Sequence, residues 1–159
     1  MTNIQLSPHF TLDEATYSST ALRLGIDNTQ PSAEIIKAAI YTASKLEVVR
    51  TILQNKSIHI DSFIRCLALN RALGSKDSSQ HIKGEAADII CPDFGSPLDI
   101  CKELITNKAK LNFDQLILEH TWVHVSFCSP TDTPRGEVLS LLSTGGYAVG
   151  LTDKQGNKL

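Results

Sequence analysis

The chain has 159 residues, 42% hydrophobic and 20% charged, with a formal net charge of −2. That is the size and balance of one globular domain, with too little basic charge to bind nucleic acid by neutralising phosphates and no apolar run long enough to span a bilayer. The opening residues, 1–8, hold neither a basic nor an apolar stretch. A secretory signal peptide is therefore not expected, synthesis in a cytoplasm is, and work outside the cell would need another exit.

Residues 7–25 read as a short helical opening, with Thr11 and Glu14 forming a capping box at its start. Pro31 and Ser32 introduce a long helix to about residue 54, whose Ile35, Ile36, Ala39, Ile40, Ala43, Leu46, Val49 and Leu53 recur at helical spacing. Residues 58–65 are β-branched and predict a strand. A short helical piece over 67–73 stops at Gly74, and a polar loop follows over 75–79. Residues 86–90 predict the next strand. Ser96 and Pro97 are a cap and first-turn proline for another helix, with Leu98, Cys101, Leu104 and Ile105 on its inner face. Residues 113–119 and 122–127 are spaced for a hairpin, and the tail beyond 130 holds one candidate strand at 137–142. No repeat, linker or second domain is apparent over residues 1–159. Cys66, Cys91, Cys101 and Cys128 form no C-x-x-C pair and are expected as reduced thiols.

The chemistry concentrates in Ser79-Gln80-His81, Gly84, Ala86 and Asp88, and in Trp122-Val123-His124-Val125-Ser126. Two imidazoles and a carboxylate would make three metal ligands and leave a fourth position open, as catalytic zinc sites do. Strand parity supports this. Val123, Val125 and Phe127 form an apolar face, so Trp122, His124 and Ser126 point away from the core. If Glu119 pairs with Trp122 around His120 and Thr121, then Ile117 lies opposite His124 and Gln115 opposite Ser126. Glu119 is then diagonal to His124, about 7–8 Å away between backbones, within reach of a metal-held water. Gly84 predicts a turn folding His81 back toward Asp88. The helical H-E-x-x-H arrangement is absent. In this reading Glu119 is the proton-transfer group and Arg65 steadies negative charge or binds a substrate carboxylate. His9, His59 and His120 are read as structural or solvated, and Asp114 as a turn residue.

These residues resemble the zinc D-alanyl-D-alanine peptidases, a family that includes D,D-carboxypeptidases, D,D-dipeptidases and phage L-alanyl-D-glutamate endolysins and shares its fold with the hedgehog signalling domain. The family pattern S-x-H-x-x-G-x-A-x-D is met by Ser79, His81, Gly84, Ala86 and Asp88, and W-x-H by Trp122 and His124. Ser62-Phe63-Ile64-Arg65 is similar to the family's S-G-Y-R segment, with Phe63 in place of glycine, and Asn70 to its following asparagine. Leu6-Ser7-Pro8-His9-Phe10-Thr11-Leu12-Asp13-Glu14 resembles the start of phage-encoded members. The likeness spans roughly residues 6–128. It implies His81, Asp88 and His124 as ligands of Zn2+ and Arg65 as a substrate contact. Many members place the catalytic glutamate three residues before the last ligand, where this chain has Thr121; Glu119 lies five before it.

The expected fold is α+β, hedgehog/DD-peptidase-like, an antiparallel sheet with helices packed on one face and the zinc site on the other. The expected activity is hydrolysis of peptide bonds in peptidoglycan stem peptides, in phage lysis or cell-wall remodelling. Ser79, Gln115 and Trp122 join Arg65 as candidate substrate contacts. The alternatives are a zinc-binding module that recognises peptides without cutting them, and a structural protein that uses zinc for stability alone.

Overall fold

A computed structural model describes residues 3–159. Its frame is a six-stranded sheet in the order β3 (His59–Ser62), β4 (Ala86–Ile90), β6 (Val123–Ser126), β5 (Gln115–Leu118), β7 (Glu137–Leu141), β8 (Tyr147–Val149). The architecture is α+β as expected. Neighbouring strands are antiparallel except β5 and β7, which run parallel from Gln115↔Glu137 to Leu118↔Ser140. This follows from the chain path. β6 ends beside the start of β5, and the loop from Phe127 to Gly136 carries the chain over that end to β5's far side. Asp114 grips the loop: its carboxylate accepts from the Arg135 N–H at 2.8 Å and its carbonyl from the Glu137 N–H at 2.9 Å.

One face of the central strands β4, β6 and β5 is wholly apolar. Ala87, Ile89, Val123, Val125, Leu116 and Leu118 are all buried on it. Helix α3 (Ala33–Ile52) packs there through Ala39, Ala43, Leu46 and Val49, which follow one stripe of the helix. Ser32 caps its start, accepting the Ile35 N–H. Ile40, counted in the stripe from sequence, is exposed. Buried Thr42 sits one step round instead, and its hydroxyl donates to the Gly84 carbonyl at 2.9 Å. Helix α5 (Pro97–Thr106) starts at a full capping box of Ser96 and Asp99 and buries Ile100, Cys101 and Leu104. The buried Cys101 thiol is pushed up to about 12 by desolvation, and all four cysteines are free thiols. Helix α6 (Lys108–Leu111) follows α5.

The N-terminal region, read from sequence as a short helical opening over 7–25, is more divided than that. It opens with a small hairpin, β1 (Gln5–Ser7) and β2 (Phe10–Thr11), and then breaks into α1 (Leu12–Thr16) and α2 (Ser19–Leu24). Thr11 caps α1 by accepting the Glu14 N–H, while the reciprocal bond from Glu14 is missing, so only half of the predicted box forms. Leu6 and Phe10 are drawn into the core by the hairpin. Helix α4 (Leu67–Ala72) ends near Gly74 as predicted. The predicted strand over 58–65 stops early, at Ser62, because the chain then leaves the sheet to serve the other face. No helix among the described residues is long and apolar enough to cross a membrane.

Candidate metal centre

Asp88 and His124 are cross-strand partners on β4 and β6, so their side chains leave the sheet together on the face opposite the core. His81 arrives from a 3-10 turn, Gln80–Lys83, closed by Gly84 at φ 73°. Ser79 caps that turn by accepting the His81 N–H at 3.3 Å. A β-carbon at residue 84 would stand 2.8 Å from the Ile35 carbonyl oxygen, so glycine is needed both for the backbone and for the close approach to α3.

The three side chains present one donor atom each. His81 Nε2 lies 3.3 Å and His124 Nδ1 3.0 Å from the same Asp88 Oδ1, and all three atoms fall within 4.8 Å of one another. Ligand atoms around a tetrahedral zinc, at bonds of about 2.0–2.1 Å, stand about 3.3 Å apart. The donor set and its spacing therefore fit such an ion, with the remaining direction open to the cleft. His81 Nδ1–H donates to the Phe63 carbonyl at 2.7 Å, which fixes the tautomer and leaves Nε2 as the lone-pair nitrogen. Burial lowers the His81 pKa against the pull of Asp88, a direction that favours the neutral ring a metal ligand needs. Burial pushes the Asp88 carboxyl up, but His81 and His124 outweigh it and hold the group well below the usual carboxylate range.

Arg65 stands on the same face. Its Nε–H donates to Ser62 Oγ at 2.8 Å and its Nη2 to Asp88 Oδ2 at 2.9 Å, while Nη1 has no hydrogen-bond partner among the described residues. Burial weakens its hold on the proton, and the nearby Asp88 and Glu119 carboxylates oppose that. Its loop is fixed from three sides. The Arg65 N–H donates to the His81 carbonyl at 3.1 Å and the Ile64 N–H to the Ala15 carbonyl at 2.9 Å. Buried Asn28 donates to the Thr16 and Ile64 carbonyls and accepts the Cys66 N–H at 2.7 Å.

The β5–β6 register is the one parity predicts: Gln115 faces Ser126, Ile117 faces His124, and the Glu119 N–H donates to the Trp122 carbonyl at 3.1 Å. Glu119 is half-buried on the metal face. Desolvation raises its pKa, Asp88 adds to the rise, and His124 and Arg65 oppose it. It makes no hydrogen bond to the three donors among the described residues. An open cleft of about 950 Å³ runs over this face, lined by Ser79, Gln115, Glu119 and Trp122 together with the three donors and Arg65. Ser79 and Gln115 also hold structure, since Gln115 donates to Glu137 Oε2 at 3.0 Å. Ser126 is buried with its hydroxyl unpartnered, and it makes no hydrogen bond to the donors.

Some participants were not visible in sequence. Asp114 is no exposed turn residue. It is buried, takes Arg135 Nη2 at 2.7 Å and Gln80 Nε2 at 3.0 Å, and so ties the tail to the residue before His81. Asn28 lies in an Asp-Asn-Thr stretch that reads as plain loop, with no local signal of its clamp. Tyr147 enters the cleft from β8, which the glycine-rich tail concealed.

No curated protein matches the chain. The model of the family described as Peptidase M15 matches residues 8–126, a span that holds the three donors, Arg65 and Glu119. The family is one of metal-dependent peptidases, and the buried His-Asp-His group fits that chemistry. On a match over most of its length, the chain belongs to the peptidase M15 family.

Proposed function

We propose that this protein is a zinc-dependent peptidase that hydrolyses peptide bonds in peptidoglycan stem peptides, as a carboxypeptidase or endopeptidase of phage lysis or cell-wall remodelling. The observation that carries the reading is the convergence of His81 Nε2, Asp88 Oδ1 and His124 Nδ1 in an open cleft, with Glu119 on the same face. His81, Asp88 and His124 hold the ion. Zinc bound there supplies Lewis acidity that polarises a carbonyl and brings the pKa of water down to about 7. Glu119 takes the proton of the attacking water and returns it to the departing amine nitrogen, a role that its raised pKa suits. Arg65, braced by Ser62 and Asp88, directs its unused Nη1 donors at a substrate carboxylate or at the oxygen that gains charge. Ser79, Gln115 and Trp122 form walls against which the peptide lies.

The test is incubation of zinc-loaded protein with purified peptidoglycan, followed by mass spectrometry of released stems and labelling of new amine ends. Cleavage at one type of bond is expected, abolished by chelation. Zinc retained at one equivalent with no new amine ends would overturn the peptidase reading in favour of a recognition module.

A further inference from the structure

The family match ends at residue 126, yet the site's sheet does not. β7 lies beside β5 with Ile117 paired to Leu139, and β8 beside β7 with Leu139 paired to Val149 and Leu141 to Tyr147. Extending the β5–β7 register by one pair sets Leu141 beside Glu119. Glu119, Leu141 and Tyr147 then form one row on the metal face, because cross-strand partners project to the same side.

This outer hairpin is held in place. The His120 Nε2–H donates to the Leu141 carbonyl at 2.8 Å, which ties the β5–β6 turn to the end of β7. His120 adopts φ 67° in making that turn. At the tip, the Leu142 N–H donates to the Gly146 carbonyl at 2.8 Å and the Gly145 N–H to the Leu142 carbonyl at 2.9 Å. The tyrosine that follows is 51% exposed and lines the same cleft as Arg65 and the three donors. Its phenol has no hydrogen-bond partner among the described residues. Partial burial and the charges of Glu119 and Asp88 raise its pKa, so the hydroxyl keeps its proton at neutral pH. Between Tyr147 and the metal group the floor is formed by Ile117 and Leu139, which offer a peptide no hydrogen bonds.

We propose that Tyr147 is a further substrate-contacting residue, whose hydroxyl donates a hydrogen bond to a backbone carbonyl of the peptide lying over Ile117 and Leu139, while its ring shields that floor from water. This rests on the peptidase reading for the identity of the peptide. It makes the tail a working wall of the cleft, with Arg65 gripping the substrate on one side of the metal and Tyr147 on the other.

The experiment compares full-length zinc-loaded wild type with Tyr147→Phe, using a synthetic stem pentapeptide as probe. Trp122 is the only tryptophan and lies in the cleft, so its fluorescence reports peptide binding whether or not cleavage follows. Loss of one neutral hydrogen bond should weaken binding and raise KM roughly threefold to tenfold, with kcat, zinc content and Tm unchanged. Tyr147→Ala should weaken binding further, since the ring goes too. If wild type binds and cleaves and Tyr147→Phe equals it in both, this proposal fails and the peptidase stands. If wild type binds without cleaving and Tyr147→Phe binds more weakly, the peptidase reading fails and this proposal stands. If wild type does neither, both fall.

Discussion

At Asp88 the two carboxylate oxygens face different partners: Oδ1 faces both imidazoles, and Oδ2 accepts from Arg65 at 2.9 Å. A single side chain thus couples the two imidazoles to the Arg65 guanidinium. Asp88→Asn would offer one oxygen in place of two and remove the charge that holds Arg65. We expect this variant to lose zinc on dialysis, measured by metal analysis, while a Ser62→Ala change keeps the metal and affects Arg65 alone. At Glu119 the expectation is the reverse. Glu119→Gln keeps the size and the strand register but cannot carry the proton. Zinc content should stay at the wild-type level while kcat on stem peptides falls by about 100-fold to 10,000-fold. A fully active Glu119→Gln protein would remove that residue from the mechanism.

Among the elements, the 3-10 turn shows how a short motif becomes a position in space. Gly84 is left-handed, and its missing side chain lets the turn lie against α3, where Thr42 reaches its carbonyl. Gly84→Ala adds a strained backbone and a contact 2.8 Å from the Ile35 carbonyl oxygen. We expect a loss of about 2 kcal/mol or more, seen as a drop in Tm, with zinc affinity weakened as His81 is displaced. This part of the site was legible in sequence because each residue type answers a local demand: a cap at Ser79, a left-handed turn at Gly84, small side chains beside the donors. The facing of the hairpin was legible because Leu116, Leu118, Val123 and Val125 share one buried face only if the loop between the strands has an even count. The early end of β3 was not legible, since it depends on a hydrogen bond donated by Asn28 and on bonds accepted by the Ala15 and His81 carbonyls, all remote in the chain. The split of the opening helix was hidden for a related reason. Leu6 and Phe10 suit a helix or a hairpin equally, and only the core they enter decides.

For the whole molecule, two measurements separate the site from the scaffold. The core lies on the face of the sheet away from the donors, and Asp88 is also held by its ion pair with Arg65. Chelation should therefore lower Tm by roughly 5–10 °C, as expected for losing a ligand present at about 100-fold over its Kd, and leave far-UV circular dichroism intact at room temperature. Unfolding on chelation would instead mark the metal as structural. The second measurement is pH. Burial raises the Asp114 carboxyl, but its bonds to Arg135 and Gln80 outweigh this and hold it below the usual carboxylate range. A depressed carboxylate stabilises the fold fully above the unfolded value of about 3.9 and loses that contribution as pH falls through its folded pKa. Wild type should be more stable than Asp114→Asn at pH 7, with the gap closing below about pH 4 in urea titrations. A gap that stayed constant to pH 3 would assign the acid sensitivity elsewhere.

The parallel seam between β5 and β7 has a further consequence. Without β7, β5 would become a border of the sheet, showing water a row of unpaired amide and carbonyl groups beside the apolar side chain of Ile117. Such a border is a template on which a second chain can add its own strand. A version of the protein cut back to the part shared with its family should therefore stick to itself and elute as aggregate, even with every metal donor still present.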